Sequence, residues 1–297
     1  MTLAPDAEGK PRQVVIQLMP APFSQGWVHN IRLFARSGWY DGISVNRVQD
    51  NYVTQWGDPN YDNPEATGKP KPLPEGLKVM PEHEYMATYV DPYPFPIEVP
   101  IPGEPSTKRS SAVSDRSPTR IRFMRYDSPF KGDSYTYFVG HTPSGWSVAR
   151  DGDKMWPTHC YGMVGVGRNY SPDTGSGAEL YTVIGHAPRH LDRNIALVGR
   201  VIEGMEHLSS LPRGSGALGF YTAEEAGKRT PILTVRVASD LPAAEQPAFE
   251  NLSTESATFA AYAEAIANRR DPFFITPAGG ADICNIRVPV RRVAEGG

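Results

Sequence analysis

Cysteine is scarce: Cys160 and Cys284 are the two thiols in 297 residues. A structural zinc site needs four ligands, and two cysteines cannot supply them. The histidines offer no substitute. His186 and His190 stand four apart, but Pro188 lies between them and breaks the helical face they would share. No metal and no cofactor is expected. The two cysteines allow one long-range disulfide or two separate buried thiols, and spacing leaves both open.

Equally missing is an apolar run long enough to cross a bilayer, so no membrane span is expected. The net charge of −3 lacks the basic surplus of a protein that grips phosphates, and no nucleic-acid partner is expected. One local basic stretch, Lys108, Arg109, Arg116, Arg120, Arg122 and Arg125, reads as a solvated loop face. No charged-then-apolar leader opens the chain, which fits a cytoplasmic protein or one whose signal has been removed. Internal repeats are absent. What is plentiful is Pro (29) and Gly (28), with 39% hydrophobic residues and few helical stretches. That composition favours a globular, β-rich, turn-rich protein.

Along the chain, 13–18 (QVVIQL) reads as a strand. Trp27, Ile31, Phe34 and Ala35 recur at i, i+4, i+7 and i+8, one face of an amphipathic helix that Gly38 stops. Strands are expected over 43–48 and 51–56. Prolines then crowd 63–105, and 106–117 is polar and without pattern. Residues 60–157 therefore read as a large insertion with two strand-like islands, 120–126 and 134–139, lying over or beside the site. Strand patterning returns at 160–167, 179–184, 195–201 and 232–237, with a short helix near 203–211. Beyond 240, Phe259, Tyr262, Ala263 and Ile266 fit a helical face ended by Asp271-Pro272, and 283–290 reads as a last strand.

Four ordered motifs carry the chemistry. Gly38-Trp39-Tyr40-Asp41-Gly42 leads into Val45-Asn46-Arg47-Val48, and Gln55-Trp56-Gly57-Asp58 follows on the next strand. Then come Gly177-Ala178-Glu179-Leu180-Tyr181 and His190-Leu191-Asp192, with Val198-Gly199-Arg200-Val201 and Gly204-Met205 after them. In this order and spacing the chain resembles the cyclophilin family of peptidyl-prolyl cis/trans isomerases, over about 12–58 and 158–240. The resemblance implies a mainly β fold: a closed eight-stranded antiparallel barrel capped by two helices. The barrel domain would span 1–240, interrupted at about 60–157, with a C-terminal extension, 241–297, packing on it.

The resemblance also implies roles. Arg47 takes the place of the catalytic arginine and Gln55 that of its supporting glutamine. Tyr52, Val53, Tyr181, Leu191 and Ile195 fall where the family builds its proline pocket. Gly165 matches a position whose backbone binds the substrate chain, and Glu179 stands for a neutral glutamine beside it. His190 replaces a tryptophan important for cyclosporin, so weak drug binding is expected. Asn46 replaces a histidine, and Ile195 a polar residue, which makes the pocket drier. The implied partners are proline-containing polypeptides or unfolded clients, and the implied activity is isomerisation of X-Pro bonds. The alternative is a peptide-binding module or chaperone on the same scaffold. A Cys160–Cys284 bridge would tie the extension to the core. Similarity to enlarged members of bacterial envelopes implies a periplasmic or secreted location, with the cytoplasm as the alternative.

Overall fold

The computed structural model describes residues 1–61, 63–89, 122–125, 135–136 and 138–293. Of the basic stretch only the backbone of Arg122–Arg125 falls within it, and the polar run 106–117 lies outside the described residues. The chain opens with β1 (Thr2–Leu3), β2 (Arg12–Gln13), β3 (Val15–Leu18), helix α1 (Gln25–Arg36), β4 (Ser44–Val48) and β5 (Val53–Gly57). A second group is β6 (Ala87–Thr88), β7 (Arg122–Arg125), β8 (Phe138–His141), β9 (Ser147–Asp151) and β10 (Lys154–Pro157). There follow β11 (Met163–Val166), β12 (Leu180–Val183), β13 (Leu197–Glu203), the single-turn α2 (Glu206–Ser209) and β14 (Ile232–Thr234). Last come β15 (Phe249–Asn251), α3 (Ala257–Ala267) and β16 (Val290–Arg292).

Six strands make one antiparallel sheet in the order β3-β13-β11-β12-β5-β4, and β14-β1-β2 make a smaller one. Three backbone bonds join the two: Gly42 N–H to Ile232 O, Ile232 N–H to Ile43 O, and Val45 N–H to Thr230 O. Strand periodicity sends alternate side chains to one face, and on the inner face Val45, Val48, Trp56, Val164, Val166, Leu180 and Val198 form the main core. Helix α1 adds Trp27, Ile31, Phe34 and Ala35 to it, the face its spacing foretells. Gly38, at φ 68°, ends that helix in the left-handed conformation that costs glycine least.

Residues 60–157, which the sequence reads as an insertion, carry more order than their composition suggests. Their five strands form a second sheet, β6-β10-β9-β8-β7. The β9–β10 hairpin turns at Gly152-Asp153, with Gly152 at φ 55°. Gly-Asp between strands is a hairpin signal, masked in the sequence by the surrounding prolines. Val139, Ala149 and Trp156 of this sheet bury Ile283 from the chain's far end.

That far end departs from expectation twice. Helix α3, capped by the Ser256 hydroxyl accepting from Phe259 N–H, stops at Ala267 rather than at Asp271-Pro272. The predicted strand over 283–290 is instead a 3-10 turn, Ile283–Asn285, followed by β16. Asp282 accepts from the Cys284 backbone at 2.8 Å and folds the chain into that turn, which an extended strand would forbid. Cys284 is disulfide-bonded to Cys160. The neutral His141 ring donates through Nε2 to Ile286 O at 3.0 Å, and Glu203 on β13 pairs with Arg292 at 2.5 Å.

Candidate active site

A β-bulge places the central arginine. Val45 faces Trp56, but Arg47 faces Gln55 and Val48 faces Thr54, so Asn46 is the extra residue on β4. Without it, Arg47 would share the inward parity of Val45; the bulge turns it outward. Asn46 is buried, accepts the Ser44 hydroxyl at 2.7 Å and donates to Gly57 O at 3.1 Å. The irregularity lies on β4, not on β5.

Once outside, the half-buried Arg47 is held by three uncharged oxygens. Nε donates to Leu218 O at 2.7 Å, one terminal nitrogen to Gln55 Oε1 at 3.0 Å, and the other to Gln49 Oε1. Among the described residues no carboxylate pairs with it. Burial lowers its pKa from the ordinary arginine value, yet a guanidinium remains charged at neutral pH. The Tyr52 and Phe220 rings flank its carbon at 5.7 and 5.6 Å, within cation–π range. Gln49, Leu218 and Phe220 escaped the sequence reading. Phe220 reaches the site through an isolated bridge to Arg47, after a turn in which Leu218 sits at φ 55°, and no periodicity announces either.

Gln55 links the arginine to a buried acid: its Nε2 donates to Glu179 Oε2 at 3.3 Å. Glu179 is 4% exposed and lies against the Gln55 amide. Its charge raises the pKa of the buried Tyr40 hydroxyl, after burial itself.

Beside Arg47 lies an apolar cluster separate from the main core. Val53, Tyr181 and Val183 form it, with Tyr52 and Ile195 packed against them. Val53 and Tyr181 lie on neighbouring strands, at outward positions of β5 and β12; Tyr52, Val53, Tyr181 and Ile195 thus come together, joined by Val183 but not by Leu191. His190 is exposed and stacks on Tyr52 with centroids 6.4 Å apart. Leu191 is half-buried in the turn Arg189–Leu191 next to it. Gly165, paired with Tyr181 across β11 and β12, has its side-chain face filled by the Tyr181 phenol, which a Cβ there would overlap. The inserted sheet reaches this wall as well: Arg189 lies 5.3 Å from the Tyr135 ring and Arg193 4.7 Å from that of Trp156.

The sequence profile described as cyclophilin type peptidyl-prolyl cis-trans isomerase/CLD matches residues 12–237. No curated protein sequence matches the chain. Among solved structures, cyclophilin AquaCyp293 from Hirschia baltica aligns with a TM-score of 0.62 at 17% identity, over 98% of this chain and 90% of that one. That likeness shows a shared fold. A cyclophilin type peptidyl-prolyl cis-trans isomerase from Cryptosporidium parvum, crystallised in the presence of the dipeptide Ala-Pro, aligns with a TM-score of 0.37 at 10% identity, over 75% and 91% of the two chains.

Proposed function

This chain belongs to the cyclophilin-type peptidyl-prolyl cis-trans isomerase family, and on that premise we propose that it rotates X-Pro peptide bonds at the slot beside Arg47. The setting of the guanidinium carries this reading. A guanidinium has five N–H groups; Leu218, Gln55 and Gln49 engage three, which leaves two for a substrate. It is charged, unneutralised by any carboxylate of the described residues, and stands at the rim of an apolar cluster.

The X-Pro barrier, roughly 18–20 kcal/mol, comes from amide resonance. In the twisted transition state that resonance is lost and the prolyl nitrogen regains a basic lone pair. Arg47 donates to that nitrogen or to the neighbouring carbonyl, an interaction stronger in the transition state than in either planar isomer. Tyr52, Val53, Tyr181 and Ile195 hold the pyrrolidine ring while the preceding carbonyl swings. Acceleration by about 10⁴ requires about 5.5 kcal/mol of differential stabilisation. Charge-assisted hydrogen bonding in a partly dry slot, with orientation, is of that order.

The same proposal takes the barrel to be an eight-stranded ring. In support, β4 bonds to the β14 segment, β14 pairs with β1, β1 with β2, and β2 runs through Val14 into β3 at the far edge of the large sheet. Its clients are extended, proline-containing chains, and the Cys160–Cys284 bridge favours an oxidising compartment such as the periplasm.

Proline exchange in a short Ala-Pro peptide, followed by NMR with and without protein, tests the activity. Wild type should accelerate exchange, and Arg47→Ala should lower kcat/KM by about 100-fold. A wild type that binds the peptide yet leaves its exchange rate unchanged would make the protein a binding module instead.

A further inference from the structure

Behind the slot runs a buried polar chain that none of the predicted residues explains. His159, 1% exposed, sits where the chain leaves the inserted sheet for the barrel. Its backbone N–H and its Nδ1 both lie on Asp192 Oδ1, at 2.9 and 2.8 Å. A carboxylate oxygen only accepts, so Nδ1 carries the ring hydrogen and Nε2 is left as an acceptor. The Tyr181 hydroxyl, 3.0 Å from Nε2, therefore donates to it. The other oxygen of Asp192 accepts from Arg189 Nε at 2.6 Å, and both residues are buried. The charges close: one guanidinium, one carboxylate, a neutral imidazole and a neutral phenol. Burial pushes His159 below the usual histidine range, against the pull of Asp192. Burial would raise the Asp192 carboxyl, but the His159 hydrogen bond and the Arg189 charge outweigh it and hold the group below its ordinary value.

Tyr181 is the floor of the slot, and Gly165 is the absence of side chain that lets its ring lie flat enough to reach His159. A phenol without an anchor would turn about its own bonds, and its hydroxyl would need a partner inside an otherwise apolar cluster. We propose that His159, oriented by Asp192 and Arg189, is a positioning residue that holds Tyr181 as the fixed floor of the proline slot and keeps its hydroxyl turned away from the substrate ring. This rests on the isomerase reading of the slot. His159 acts through Tyr181 and touches no substrate, so its loss weakens proline binding in ground and transition states alike: KM rises and kcat is little changed.

Two replacements separate the halves of the imidazole. His159→Asn keeps a donor near Nδ1 for Asp192 and has nothing to accept from Tyr181. His159→Gln extends a carbonyl oxygen to where Nε2 stands. Steady-state isomerisation of an Ala-Ala-Pro-Phe peptide, Kd for the same peptide by NMR titration, and thermal unfolding are measured for each. The Asn variant should raise KM and Kd by about tenfold with kcat within about twofold, and Gln should recover most of that loss. Should His159→Asn fail to fold, Tyr181→Phe, His159→Leu and their double variant supply the comparison: the double variant should lose no more affinity than Tyr181→Phe. Equal losses in Asn and Gln, additive losses in the double variant, or affinity unchanged throughout would overturn the proposal. An inactive wild type would sink the isomerase reading alone, because peptide Kd still ranks the variants.

Discussion

Glu179 brings a full carboxylate into a position that is 4% exposed, and two glycines make the room. A Cβ at Gly57 would overlap its carboxylate, and one at Gly167 would crowd its Cβ. Gly57→Ala should therefore push Glu179 off Gln55, cost about 1–3 kcal/mol of stability by overpacking and lower isomerase kcat/KM by several-fold. Adding Glu179→Ala should restore much of the stability, because the clash goes with the carboxylate. Thermal unfolding of the single and double variants decides it, and simple additivity would count against the fit. At this scale Arg47 and Gln55 were legible only through the ordered family motifs, and the two side chains lie in hydrogen-bond contact. Gln49, Phe220 and His159 were not, because turns and a second sheet, not strand alternation, bring them in.

At the scale of elements, the site depends on a parity change. Val45 and Val48 point inward while Arg47, between them, points outward, which only an extra residue on β4 permits. Asn46 supplies that residue and locks it with two buried hydrogen bonds. Asn46→Ala leaves the Ser44 hydroxyl and the Gly57 carbonyl each short of a partner, so a loss of about 1–3 kcal/mol is expected. Since the same bonds aim Arg47, kcat should fall with it while the far-UV spectrum stays native-like. Chemical unfolding and the peptide assay check both, and a stable variant with full turnover would mean that the bulge holds without Asn46. The large sheet was legible because its strands are short runs rich in β-branched and aromatic residues. The inserted sheet was not, since a Pro-rich composition masked the Gly152-Asp153 hairpin, and 283–290 misled because a side-chain cap outcompeted strand propensity.

At the scale of the molecule, the C-terminal extension is fastened to the inserted sheet by apolar contacts, by the disulfide and by His141. Burial lowers the His141 pKa from 6.5 to about 4, with the Ile286 carbonyl pulling the other way and Arg200 adding to the fall. Facing it across the contact is the Phe259 ring, 5.3 Å away. Above pH 6.5 neither folded nor unfolded chain protonates this ring, so it contributes no slope. Between 6.5 and 4 the unfolded chain takes up the proton first, and stability falls as pH falls, by about 3 kcal/mol at most. His141→Gln, which still donates to Ile286 O, should abolish that part of the slope. Unfolding free energies of the two proteins at pH 7 and pH 4.5 should therefore converge toward acid, and parallel curves would place the proton elsewhere.

The bridge from Cys160 to Cys284 ties two points 124 residues apart into a covalent lasso. Within it lie β11 to β15 with α2 and α3, and outside it β1 to β10 with α1, Arg47 and Gln55, and also β16. A single proteolytic nick inside the lasso, such as at the exposed Phe273 and Ile275, leaves one covalent molecule until a reductant opens it. A nick between Gln55 and Cys160 parts the chain at once into two pieces, with the guanidinium on one and Tyr181 on the other.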